Sequence, residues 1–223
     1  MYQSTITLQI NNNAFVKDPA STDLGKKIIS GSIDLISELG FENFTFKKLS
    51  QHISSTEASV YRYFNGKHQL LAYLVLWYWS WQKYRLALRL TNIEDPKERL
   101  RRAIILLTER VSEDSTFSQI NEIKLHLILI SEASKVFLNK DVDKDNQLGY
   151  FTQYKEVVNR ISEIILEINP SFKYPHMLVS TVIEGSHHQR FFAEHLPRLT
   201  NVIEGEDAVT SFYVELVFNE IEK

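Results

Sequence analysis

The Glu184-x-x-His187 pair, followed by His188 and His195, has the spacing of half a di-iron carboxylate site on one helix. A whole site needs a second such pair and two further glutamates, and Glu122-x-x-x-His126 does not repeat the spacing. Asp141-x-Asp143-x-Asp145 begins like a calcium loop, but Asn146 stands at its glycine position and Thr152 at its twelfth. None of the seven histidines completes a Ser/His/Asp spacing. The chain has no cysteine, which excludes a disulfide framework, a thiolate metal site and a cysteine nucleophile. No catalytic residue, metal ligand or cofactor is therefore assigned, and the chain is not expected to be an enzyme.

A different chemistry lies between residues 45 and 64. Thr45 can cap a short helix through Ile53, and Thr56 another through Phe64, with only Ser54 and Ser55 between them. Two short helices joined so tightly match helix-turn-helix geometry, in which the second helix can enter a major groove. Leu49, Ile53, Val60 and Phe64 supply the inner face. Glu57, Ala58, Ser59, Tyr61, Arg62 and Tyr63 are left for the outer faces, although the two tyrosines could equally be packing.

The elements that must position this pair read almost entirely as helix. Ile28, Ile29, Ile33, Leu35, Ile36 and Leu39 recur at helical spacing after Ser21-Thr22, and Gly40 stops the run. A long helix is expected at about 67–90. Asp95-Pro96-Lys97-Glu98 opens another to about 114, and Thr116-x-x-Gln119 one to about 138. Residues 139–147 read as a charged loop, with helices following at about 148–168, 175–195 and 206–222. Only the start departs: Ile6, Leu8 and Ile10 alternate with polar residues, the period of a short strand. No basic residue precedes Lys17, which argues against a minor-groove arm. No run is long enough for a bilayer span, since the charge-free stretch from Leu70 to Trp81 is bounded by Lys67 and Lys83. A polar N-terminus without an apolar core is no signal peptide, so a cytoplasmic protein is expected.

Residues 24–74 resemble the DNA-binding domain of TetR-type bacterial repressors. The carriers are Gly40-Phe41, Thr45, Leu49, Ser59-Val60-Tyr61-Arg62-Tyr63-Phe64, Lys67 and Leu70-Leu71, in order and spacing. Ser54-Ser55 stands where the family usually has Gly-Val, Ser50 where alanine is frequent, and Ala58 where glycine is common. The resemblance implies a DNA-contacting set of Thr45, Lys47, Lys48, Ser55, Thr56, Glu57, Ala58, Ser59, Tyr61, Arg62, Tyr63 and Lys67. Lys47 is then a base or phosphate reader, and Thr45, Ser59, Tyr61, Tyr63 and Lys67 hold phosphates. Glu57, Ala58 and Arg62 are positions that choose sequence; Glu57 would otherwise only favour its helix start.

The charge distribution agrees with a phosphate-facing end. The net charge is −3, yet residues 43–89 hold seven basic residues and one acid, a local +6 against −9 elsewhere. Three parts are expected: an arm (1–20), a helix-turn-helix domain (21–66) and a larger helical body (67–223). The resemblance implies that the body binds a small molecule and dimerises. Trp77, Trp81, Tyr84, His126, Tyr150, Tyr154 and Phe191 are its candidate ligand residues, for an apolar or aromatic effector, though each is also ordinary core. In the last helix, Val209, Phe212, Tyr213, Leu216, Val217 and Glu220 form one stripe, and Val214, Phe218 and Ile221 another. Small residues such as Gly185 and Ser186 let the helix before it approach closely, so a homodimer through these two helices is expected. The expected architecture is all-α and the expected function a ligand-released repressor of a palindromic operator. The alternative is a helical ligand carrier or metal-dependent enzyme that has lost DNA binding.

Overall fold

Three threonines start the first three helices. Thr22 accepts a hydrogen bond from the Gly25 amide, Thr45 from Lys48 and Thr56 from Ser59. They open α1 (Asp23–Asn43), α2 (Phe46–His52) and α3 (Glu57–Tyr61) in this computed structural model, which describes residue 8, residues 10–117 and residues 119–222. Gly40 interrupts α1 at φ +74°, a conformation open to glycine, and turns the chain toward Phe44. α3 is shorter than the sequence pattern implies. After Tyr61 the bonds tighten, with the Tyr63 amide donating to the Val60 carbonyl.

α4 (Lys67–Leu90) is buried along every residue from Leu70 to Gln82, so its apolar residues need neighbours on several sides. Asp95 caps α5 (Pro96–Thr108) through the Lys97 and Glu98 amides. α5 stops six residues before its expected end, because Glu109 is extended and its carboxylate is drawn to Arg85 and Arg89. The helix expected from Thr116 begins instead at Glu122: α6 (Glu122–Glu132) is capped by Asn121, and a one-turn α7 (Ser134–Phe137) follows. The expected loop at 139–147 contains α8 (Val142–Gln147), fixed by Asp145, which is buried and meets His68 at 3.1 Å. α9 (Thr152–Ile168), α10 (Pro175–His195) and α11 (Ala208–Ile221) complete the fold. The architecture is all-α among the described residues. The alternating N-terminal segment lies, except for Leu8 and Ile10, outside them.

The chain forms two compact units. The first comprises the described residues of 1–81 and 111–153, the second those of 82–110 and 154–223. In the first unit, α1 packs on α6 and α2 on α3 over a core that includes Ile28, Ile33, Leu49, Val60, Phe64 and Leu70. The segment before α1 is tied into this unit. The Val16 amide donates to the Tyr63 carbonyl at 2.8 Å, and the Asn11 and Asn13 amides reach the Leu148 carbonyl.

In the second unit α5, α10 and α11 pack on one another. Arg190 binds the Thr108 carbonyl, Asp207 and Thr210. Burial alone would raise the Asp207 carboxyl, but the bonds from Arg190 and Thr210 outweigh it and hold the group below the usual carboxylate range. The two stripes expected on α11 divide differently. Val209, Tyr213, Val217 and Ile221 face inward, Phe218 lies beneath the Arg101 guanidinium, and Phe212 and Leu216 are exposed. Of the small residues on α10, Gly185 serves a contact inside the chain: a Cβ there would stand 2.2 Å from the Tyr213 hydroxyl.

Two substitutions test these backbone assignments. Ser54 occupies φ +53° and closes the α2 turn, with Ser55 donating to the Ser50 carbonyl at 2.8 Å. Left-handed backbone costs a non-glycine residue about 1–2 kcal/mol, partly offset by glycine's freedom when unfolded. Ser54→Gly should therefore stabilise the chain by about 0.5–1 kcal/mol in urea unfolding; a loss would show the turn is not strained. Gly185→Ala should cost about 1–3 kcal/mol, and the pair Gly185→Ala/Tyr213→Phe should recover part of that cost.

Candidate nucleic-acid interface

The helix-turn-helix pair is built from local bonds upward. The Thr56 hydroxyl holds both the amide and the hydroxyl of Ser59, at 3.2 and 2.8 Å, and Arg62 reaches Ser59 from the next turn at 3.3 Å. Tyr61 stacks edge-on against Phe46 at 5.0 Å between ring centres, which spans α2 and α3, yet it remains 49% exposed. A half-exposed tyrosine held by its ring presents its hydroxyl without losing much rotamer freedom. Thr45, Lys47, Lys48, Thr56, Glu57, Ala58 and Arg62 are also exposed, with Ser55 and Ser59 half-buried. Lys48 bonds back to the Asn43 carbonyl, whereas Lys47 makes no ion pair among the described residues. Ten of the twelve residues assigned from sequence thus lie on one small module with accessible side chains.

The other two are placed differently. Tyr63 is 3% exposed, and its hydroxyl bonds Thr22 Oγ1 at 2.8 Å. It is a core residue joining the start of α1 to the end of α3, and it is removed from the phosphate-contacting set. Lys67 donates to the carbonyls of Phe41 and Glu42, at 3.0 and 3.2 Å, and lies over the Phe41 ring. There a cation meets the carbonyl end of α1, a favourable dipole position, so the structure gives Lys67 an anchoring contact. One cation escaped the sequence reading. Lys17 is exposed with its ammonium 5.2 Å from the Tyr63 ring centre; no motif spans the 45 residues between them.

The electrostatics also sharpen. Three of the seven basic residues in the +6 stretch are matched by acids distant in sequence: Lys83 by Glu156, and Arg85 and Arg89 by Glu109. The remaining four, Lys47, Lys48, Arg62 and Lys67, belong to the helix-turn-helix and the start of α4, beside a single acid, Glu57. Positive charge is therefore concentrated on the module itself.

Within the first unit this module is fastened to α6. Lys124 pairs with Asp34 at 2.5 Å, Glu132 accepts from the Phe41 amide at 3.3 Å, and Lys135 bridges Glu132 and Glu42. Bonding to Glu132 raises the Lys135 ammonium above the ordinary lysine range.

The seven expected ligand residues are divided between the two units. Trp77 and Trp81 stack on each other, Trp81 donates to Asp114, and Tyr78 holds His126 at 2.9 Å. These are core contacts of the first unit. Tyr150 donates to the Asn13 carbonyl. Tyr84, Tyr154 and Phe191 belong to the second unit; Tyr154 bonds Glu184 and Phe191 lies on His195. Clefts of about 590 and 620 Å³ in the first unit and about 450 Å³ in the second are lined by other side chains. No group of three or more metal-ligating side chains comes together among the described residues, and no described helix is long and apolar enough to cross a membrane.

Comparison with known proteins matches this geometry. Residues 28–74 match the family described as bacterial regulatory proteins, tetR family. No curated protein matches the chain in sequence. Among solved structures, the chain is similar to AibR in complex with isovaleryl coenzyme A and operator DNA, at 16% identity and TM-score 0.58, over 86% of this chain and 97% of that one. It is similar to PfmR, a TetR family transcriptional regulator from Thermus thermophilus, at 14% identity and TM-score 0.58, over 85% and 93%. It is also similar to the superantigen PfiT, at 12% identity and TM-score 0.60, over 92% and 98%. At these identities the likeness shows the fold alone, and a fold hosts more than one function. The assignment rests on residues 28–74, the N-terminal segment that is similar to the tetR family of bacterial regulatory proteins.

Proposed function

We propose that this chain is a cytoplasmic, ligand-responsive transcriptional repressor that binds a palindromic operator as a homodimer and is released from it by a small molecule. The observation that carries the reading is the exposed set Lys47, Tyr61 and Arg62 on a capped helix-turn-helix, with the module's positive charge largely unmatched. Such a set supplies phosphate donors and groove readers together. The AibR complex, with both acyl coenzyme A and operator DNA, supports joint ligand and DNA binding in this fold. Residues 1–20 are then an arm, 21–66 the reading head and 67–223 the body, with no catalytic role.

Phe212 and Leu216 on α11, the former 55% exposed, and Met177 on α10 leave apolar surface outside the unit. A second copy would cover it, and a palindromic operator requires such a twofold dimer. Release then requires a ligand that favours a state in which that dimer no longer fits the operator. The shift equals its differential affinity for the two states.

The test uses DNA flanking the chain's own gene. Footprinting should show a protected inverted repeat, and Lys47→Ala should weaken binding by about 1–3 kcal/mol if the lysine reads a base. Wild-type protein that protects no segment would remove the repressor reading. An unchanged footprint and affinity for Lys47→Ala would return that lysine to solvent.

A further inference from the structure

A cleft of about 590 Å³ in the first unit is walled by α1, through Ile33 and Asp34, and by the segment leading into α6, through Glu113, Asp114, Ile120 and Glu122. Four carboxylates line it and no cationic side chain does. Three of the four have partners. Asp34 pairs with Lys124, which reaches it at 2.5 Å; Glu113 accepts from the Asn121 amide at 3.0 Å; Asp114 accepts from the Thr116 amide and the Trp81 indole.

Glu122 differs. It is fully buried, its Oε2 accepts from the Asp114 amide at 3.2 Å, and its Oε1 has no hydrogen-bond partner. A buried carboxylate oxygen left unmatched is expensive, and it is relieved by uptake of a proton or by a donor that also brings positive charge. Burial pushes this carboxyl above the usual carboxylate range, against the backbone bonds that pull it down. An anionic ligand would meet four carboxylates here; an ammonium group would meet one unmatched oxygen, with Ile120 as an apolar wall for its tail.

We infer that this cleft, between α1 and residues 113–122, binds a small primary ammonium ion on Glu122, and that this is the effector site. The inference rests on the regulator reading for its consequence, though not for the binding itself. Because Asp34 lies on α1 and pairs with Lys124 on α6, a cation entering beside it competes with Lys124 for that carboxylate. The site therefore sits on the tie between the reading head and α6. The effector class is the opposite in charge of the acyl coenzyme A bound by AibR.

The experiment is titration calorimetry on the whole chain with primary alkylammonium ions from ethyl to hexyl, beside alcohols and carboxylates of the same length. Ammonium ions should bind, the matched alcohols and carboxylates at least tenfold more weakly. Glu122→Gln should weaken ammonium binding at least tenfold while its thermal melt stays cooperative. Should Glu122→Gln fail to fold, Ile120→Trp, which fills the cleft and keeps the carboxylate, should abolish binding instead. Absence of binding by every ammonium ion, equal binding of the alcohols, or undiminished binding to the folded variants would each overturn the site. A bound ammonium ion should also lower DNA affinity; binding without that change overturns the effector role. Wild-type protein that keeps its DNA preference yet binds no ammonium ion fails this inference alone. Protein without DNA preference fails the regulator reading whatever the calorimetry shows.

Discussion

Helix α1 is held from two sides, and what the N-terminal module can do depends on that. One face carries Ile28, Ile33 and Ile36 into the core shared with α2 and α3. The other is tied to α6 by Lys124 on Asp34 and Glu132 on the Phe41 amide. A surface ion pair alone is worth little. Here the pairs act on a helix whose end is already fixed by Gly40 and by Lys67 on its last carbonyls, so they set an orientation more than a stability.

The same logic explains the roles of Tyr63 and Lys67. Both stand in a stretch whose residue types favour phosphate, and both turn inward because α1 needs closing at each end. Tyr63 bonds the cap residue Thr22 and carries Lys17 over its ring; Lys67 meets the far end. What remains outside is a compact set around Lys47, Tyr61 and Arg62. Affinity for a polyanion follows from charge placed where it is not already matched, and α2 and α3 hold such charge.

Local chemistry was the legible part. The caps Thr22, Thr45, Thr56 and Asp95 act on amides two or three residues away, so the spacing in the sequence is the spacing of the bond. The Ser54-Ser55 turn was legible only as a departure from the Gly-Val usual in the family it resembles, and the structure places Ser54 at positive φ. Long-range pairing was not. The early end of α5 follows from Glu109 meeting Arg85 and Arg89, more than 15 residues before it, and α8 is fixed by His68, 77 residues before Asp145. Nothing in the periodicity of either segment announces those partners. The contacts among the aromatic residues, Trp77 with Trp81 and Tyr78 with His126, were likewise not visible in the sequence. Glu122 was visible only as half of an unrepeated metal spacing; its importance came from burial, which sequence does not show.

The central claim is that a chain with net charge −3 reads DNA through one basic module. The most direct measurement is a salt titration of wild-type binding to the flanking DNA against random DNA of equal length. The account predicts that log affinity falls linearly with log salt on both, with the flanking DNA bound at least a thousandfold or so more tightly throughout. Equal affinity for both DNAs at every salt concentration would contradict it.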